Sequence, residues 1–275
     1  IKDIHAGMGY FFLSPEKGNA YRANLSFANG ETRRVDLPEV EPEGIALTVQ
    51  GQNEQKVRLV MVANQEYLEK NRDKQFNIIA QAEGALSYAA QATLKSEAVV
   101  IDLPKDRFPT GIAQLVLFNP NGTPLSERLV FIESLTPIDI QVRTDKTAYP
   151  PKGLVSLSLT TLNNDTTFAG HYSISVTDEQ KVPFDENDEQ TILSNFLLTS
   201  NIKGYVEAPN YYFNPANTDR EEAMEALLLT QGYKRFSYMD LLAGNYPQLL
   251  FMPEQGIEIS GTLRYNNGRP VEGGG

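Results

Sequence analysis

Val57-Arg58-Leu59-Val60-Met61 and Ala113-Gln114-Leu115-Val116-Leu117 are the two stretches on which the fold turns. Val57, Leu59 and Met61 alternate in one, and Ala113, Leu115 and Leu117 in the other. Successive side chains of an extended chain point to opposite faces, so each set shares one face of a sheet. Outward from these, further strand-forming runs fall at 45–50, 76–82, 86–94, 98–103 and 128–132, between turn residues. Asn119-Pro120-Asn121-Gly122 reads as a tight hairpin, because Asn and Gly accept the positive φ such turns need.

Seven short strands in the segment 44–134 are the pattern of an immunoglobulin-like β-sandwich. Before it, Gly9–Leu13 and Tyr21–Phe27 predict strands, and Leu37-Pro38 and Pro42-Glu43-Gly44 a linker. Residues 1–40 are expected to be the closing strands of a domain that starts upstream. After Pro137, alternation at 138–143, 155–159 and 172–176 predicts a second sandwich over 137–250, with a stiff turn at Pro150-Pro151-Lys152-Gly153.

Within that second region the period changes. Ile192, Leu193, Phe196 and Leu197 stand at helical spacing, predicting a helix over 188–198. A second helix is expected with Thr218 as N-cap, Glu221 closing a capping box, a buried stripe of Ala223, Met224, Leu227 and Leu228, and Gly232 at C′. A short third helix over 237–242 ends at Gly244. The helical insert, 188–243, is expected to brace the second sandwich. Ile257–Leu263 again reads as a strand, the first of a further domain over 255–275.

Of 275 residues, 41% are hydrophobic and 21% charged, which suits folded domains rather than a disordered chain. A net charge of −11 argues against a nucleic-acid surface. Without cysteine there are no disulfides, thiolate metal sites, thiol nucleophiles or thioesters. Only His5 and His171 are available for imidazole chemistry. No run is apolar enough to span a bilayer as a helix. Both ends read as interior to a longer polypeptide.

Three further stretches carry a resemblance: Ile192–Glu207 with its Lys203-Gly204-Tyr205, then Ala208-Pro209-Asn210-Tyr211-Tyr212-Phe213, then Ala226–Phe236 with its Gln231-Gly232-Tyr233. In this order they resemble a family of large Bacteroidetes cell-envelope proteins, in which macroglobulin-like (MG2-type) domains precede a carboxypeptidase-regulatory-like domain and often a TonB-dependent receptor plug. Gly7–Phe12 with Pro15, Gly18 and Tyr21 resembles the end of one macroglobulin-like domain, and Phe108–Leu115 with Pro124–Phe131 the end of the next. Gly261–Arg264 with Gly268–Val271 resembles the opening of the regulatory-like domain. The resemblance implies a mainly β chain of tandem immunoglobulin/macroglobulin-like sandwiches with a small helical insert. It also implies a periplasmic or outer-membrane location, with the membrane reached only through other parts of the polypeptide.

Candidate chemistry is sparse. Gly7-Met8-Gly9 begins a dinucleotide fingerprint, but Phe12 stands at the third glycine position. Asp185, Asn187 and Glu189 alternate as in a calcium loop, but Gln190 replaces the turn glycine and Phe196 the bidentate glutamate, leaving a loose surface site at most. Acids there also suit a helix start. No Gly-x-Ser-x-Gly accompanies the histidines. Glu127-Arg128 reads as a structural ion pair or sheet-edge contact, and Asp165-Thr166-Thr167 resembles a Bacteroidetes O-glycosylation signal. Tyr205, Tyr211, Tyr212 and Phe213 are the one candidate surface, either a platform for a partner or sugar, or packing for the helical insert. The expectation is a non-catalytic, extracytoplasmic interaction or spacer region without cofactor or metal, engaging a protein partner of the cell envelope. The alternative is a carbohydrate- or peptide-binding module of uptake machinery. An enzyme reading would need acids converging in a deep pocket.

Overall fold

Strands Ile45–Gln52 (β3), Lys56–Ala63 (β4) and Ala98–Pro104 (β7) form one antiparallel sheet, in the order β3-β4-β7. Strands Gln75–Ala82 (β5), Ala85–Thr93 (β6), Gly111–Phe118 (β8) and Pro124–Ile132 (β9) form another, in the order β6-β5-β8-β9. The computed structural model describes residues 3–134, 138–163, 166–167, 170–178, 180–233, 235–246, 248 and 264–269. It falls into two units, Ile1–Ser237 and Tyr238–Gly275.

The turns between these strands follow from their residues. Asn53 Oδ1 accepts the amides of Gln55 at 3.0 Å and Lys56 at 2.9 Å and so closes β3 onto β4. Glu83 (φ +53°) and Gly84 (φ +81°) form a two-residue β5–β6 loop with both φ values positive, the pattern of a type I′ turn. The expected hairpin at 119–122 joins β8 to β9, with Asn119 Oδ1 accepting from Asn121 and Thr123 and Gly122 at φ +83°.

The seven strands meet around one cluster of buried side chains. Leu47, Val57, Leu59, Met61 and Leu103 come from the three-stranded sheet, and Phe76, Ile78, Leu115, Leu117 and Ile132 from the four-stranded one. Both alternating triplets of the sequence lie here. Each such side chain, fully buried, contributes roughly 1.5–3 kcal/mol.

One helix in this region is absent from the expectations. Gln65–Asn71 (α1) carries the chain from β4 to β5, burying Leu68. Its cap, Asn64, accepts from Tyr67 N at 3.0 Å and donates to Pro42 O at 2.9 Å, which ties the 42–44 segment to the body.

Upstream, Arg22–Ser26 (β1) and Thr32–Asp36 (β2) pair as an exposed hairpin closed by Gly30. The strand expected at Gly9–Leu13 is not formed, because this stretch has no partner strand among the described residues. Downstream, Asp139–Thr144 (β10), Leu157–Asn163 (β11) and Thr166–Thr167 (β12) make a third antiparallel sheet. Ile140, Val142, Leu157 and Leu159 share one of its faces and are exposed. The strand expected at 172–176 is also missing. Its Tyr172 hydroxyl meets Thr161 Oγ1 at 2.7 Å, while Ile174 and Val176 are exposed.

The helical segment differs from expectation in place and phase. Ile192–Ser194 (α2) starts at Thr191, whose hydroxyl accepts from Ser194 N, and continues as a π-helical turn over Asn195–Thr199. That wider turn rotates the buried side. Ser194 and Leu198 are inside, whereas Ile192 and Phe196 of the expected stripe face solvent. Arg220–Thr230 (α3) buries the expected Ala223, Met224, Leu227 and Leu228. Asp219 precedes it as N-cap in place of Thr218, with no side-chain capping bond. The segment packs on the outer face of the four-stranded sheet, against Ile112 and Leu129, rather than bracing β10–β12.

In the second unit, Tyr238–Leu242 (α4) is followed by Gly244 at φ +74°, as the third expected helix requires. A turn runs from Tyr265 to Arg269. The strand expected at 257–263, most of the 255–275 stretch and the Asp165 of the glycosylation signal lie outside the described residues.

Candidate functional site

The loop at 205–219 places the four aromatic residues singled out by sequence. Tyr205 is 83% exposed and stands apart from the others. Tyr211 stacks on His5 at 3.9 Å between ring centroids, and its hydroxyl donates to Asp219 Oδ1 at 2.6 Å. Tyr212 is 4% exposed, with its ring edge-on to His5 at 5.3 Å. Burial pushes its phenol up to about 12, and the buried Oη has no hydrogen-bond partner among the described residues. Phe213 meets Phe131 of β9 edge to face at 5.7 Å. Three of the four rings thus gather at the seam between loop and sheet, largely as packing.

An asparagine network missed by sequence reasoning holds that loop in place. Asn187 Oδ1 accepts from Asn214 Nδ2 at 3.0 Å and Asn217 Nδ2 at 2.9 Å. Asn210 Nδ2 donates to Glu186 O at 2.9 Å, and Asn210 Oδ1 accepts from Thr191 Oγ1 at 3.1 Å. The signal lay in four asparagines within a few dozen residues, each able to donate and accept. Asn187 is also the middle residue of the calcium-like triplet, so its side-chain oxygen is already engaged. Asp185 Oδ1 accepts from Asn187 N at 2.9 Å. Among the described residues no three His, Asp or Glu side chains come together to hold a metal.

Arg128 is the other residue whose role the structure specifies. Its guanidinium donates to Glu225 of α3, an ion pair that fastens the helical segment to β9, the last strand of the four-stranded sheet. Its side chain is 9% exposed, and burial lowers its pKa against the raising effect of Glu225.

Beside the aromatic seam a groove of about 890 Å³ opens where the β3–β4 and β5–β6 turns, the β7–β8 connection and the end of β9 gather. Leu193, Leu197, Phe213 and Met224 give it apolar walls, and Tyr212 touches it as well. Arg220, whose Nη1 donates to Phe213 O at 3.4 Å, and Lys105 supply positive charge. Glu54, Glu83, Glu133 and Glu221 stand at its rim, exposed. Chemically, it can enclose an apolar body of small-ligand size with polar groups around it. No family profile matches the chain, and no curated protein matches it.

Proposed function

We propose that this chain is a non-catalytic interaction and spacing region of an extracytoplasmic, outer-membrane-associated protein, built from macroglobulin-like β-sandwiches. In this reading 44–134 is one sandwich and 137–250 a second module. Residues 1–40 close a preceding domain, and 255–275 open a regulatory-like one. The observation that carries it is a two-sided core. The four-stranded sheet is packed inward on the other sheet and outward on the helical segment, so the loops and aromatic rings sit on a stiff support. Such a support holds surfaces at fixed spacing, which is what a scaffold between partners needs. The polypeptide in intact cells tests this. Protease should cut it only after the outer membrane is permeabilised or from the cell surface, and recovery in the cytosolic fraction would refute the reading.

A second reading, a carbohydrate- or peptide-binding module, is favoured by the apolar groove beside Tyr212 and Phe213. Tyr212 is a core residue, so its removal would test folding rather than binding. Phe213→Ala is the informative substitution, and loss of a saturable ligand with an unchanged fold would support the module.

A further inference from the structure

We infer that the groove takes a small amphiphilic anion, an apolar body bearing one carboxylate or sulfonate, with Lys105 as its counter-charge. The inference rests on the reading of the groove as a ligand site. Lys105 lines the groove and is only 8% exposed. Its backbone is fixed at both ends of the peptide unit, its N–H donating to Gln55 O at 2.8 Å and its carbonyl accepting from Phe108 N at 3.0 Å. Its ammonium has no acid within the 4.0 Å of an ion pair and no hydrogen-bond acceptor among the described residues. A cation held at a groove wall without a protein partner is free to pair with a ligand anion, and such a charge-assisted contact is stronger than a neutral one.

The surroundings narrow the ligand. The rim glutamates are exposed and screened by water and salt, so they do not neutralise the Lys105 ammonium as a contacting carboxylate would. Their repulsion, weakened by that screening, grows with the charge of the ligand, which favours a molecule with a single charged head. The walls of Leu193, Leu197, Phe213 and Met224 take its apolar part, and about 890 Å³ is the size of a small-ligand pocket.

The test compares two dyes of like shape on the 275-residue chain: 8-anilinonaphthalene-1-sulfonate, which carries the anion, and neutral N-phenyl-1-naphthylamine. An Ile140→Ser/Val142→Ser background removes dye binding to the exposed face of β10–β11. The sulfonate should bind saturably and about tenfold more tightly than the neutral dye, as a charge-assisted contact implies. Lys105→Met should abolish that preference and Lys105→Arg keep it. Equal affinities in the unsubstituted groove, or a preference that survives Lys105→Met, overturn the inference. If both dyes bind equally and Phe213→Ala weakens both, the groove stands as a ligand site and only the anion claim falls. If neither binds saturably, both fall.

Discussion

Removing the Glu225 carboxylate while leaving Arg128 in place should loosen the helical segment from the sheet. Arg128 is 9% exposed on β9 and Glu225 29% exposed on α3. Deleting one partner of a fully buried pair costs about 3–5 kcal/mol, because the remaining charge is stranded. Glu225 is partly open to water, which will hydrate the stranded guanidinium, so the expected loss for Glu225→Ala is about 2–3 kcal/mol. For a unit of this size that is roughly 5–10 °C in the melting midpoint. Arg128→Met replaces the charge by apolar bulk and should cost less, about 1 kcal/mol, and the double variant should cost little more than Arg128→Met alone. Urea unfolding of the four proteins, with hydrogen exchange read at α3 and β9, measures both the loss and its location. A Glu225→Ala change within about 0.5 kcal/mol of the starting protein, or additive single losses, would refute the argument that this pair fastens the helical segment to the sheet.

Tyr212→Phe should be neutral or stabilising by up to about 1 kcal/mol, because it deletes a buried hydroxyl without a partner, while Tyr212→Ala should cost about 3–5 kcal/mol. Denaturant midpoints decide this, and absorbance at 295 nm should show one tyrosine titrating near 12 that the Phe variant lacks. Asp102 is held at about 2 by hydrogen bonds from Arg58 and Lys56, below its unfolded value of about 3.9. Its stabilisation is therefore complete above roughly pH 4 and lost as pH falls through about 2, so Asp102→Asn should flatten the pH dependence of urea midpoints across that window. Gly204 sits at φ +90° with Gln231 Oε1 at 2.9 Å from where a Cβ would lie, so Gly204→Ala should cost about 1–2 kcal/mol. Gly232 stands at C′ as expected, one past the C-cap Gln231, but without a positive φ or a close neighbour, so Gly232→Ala should be neutral or stabilise by about 0.4–1 kcal/mol in the same assay.

The seven strands of 44–134 were legible because alternation and turn chemistry agree there, residue by residue. Asn119 and Gly122 demanded the hairpin that Leu115, Leu117 and Leu129 then bury. Helix α1 was hidden inside a strand-rich context, although Asn64 followed by Gln65-Glu66-Tyr67-Leu68 carries a cap and strong helix formers. The stripe Ile192, Leu193, Phe196 and Leu197 failed for a different reason. A π-turn cannot be seen in a 3.6-residue period, and one added residue turns the buried side by roughly 100°. Of the candidate site, the residues were legible and their roles were not. Tyr211, Tyr212 and Phe213 do converge, but whether a ring packs or presents depends on what lies across from it, and His5 and Phe131 are remote in sequence.

The seat of the helical segment could have been read from β8. A strand covered on one face alternates, whereas a strand covered on both runs apolar throughout. Gly111-Ile112-Ala113-Gln114-Leu115-Val116-Leu117-Phe118 is apolar on both faces apart from Gln114, and all eight residues are buried. Its inner side chains, Ala113, Leu115 and Leu117, meet the other sheet. Ile112 on the outer side demands a cover, and the stripe of α3, with Met224 and Leu227, supplies it. The polar exception is half accommodated: Gln114 Oε1 accepts from Gln81 Nε2 on neighbouring β5, while Gln114 Nε2 is buried without a partner among the described residues. β10 reads Asp139-Ile140-Gln141-Val142-Arg143, apolar on one face only. A strand of that kind asks for one cover, which among the described residues its apolar face lacks; β8 asks for two, and with the facing sheet on its inner side an amphipathic helix is what its outer side still requires.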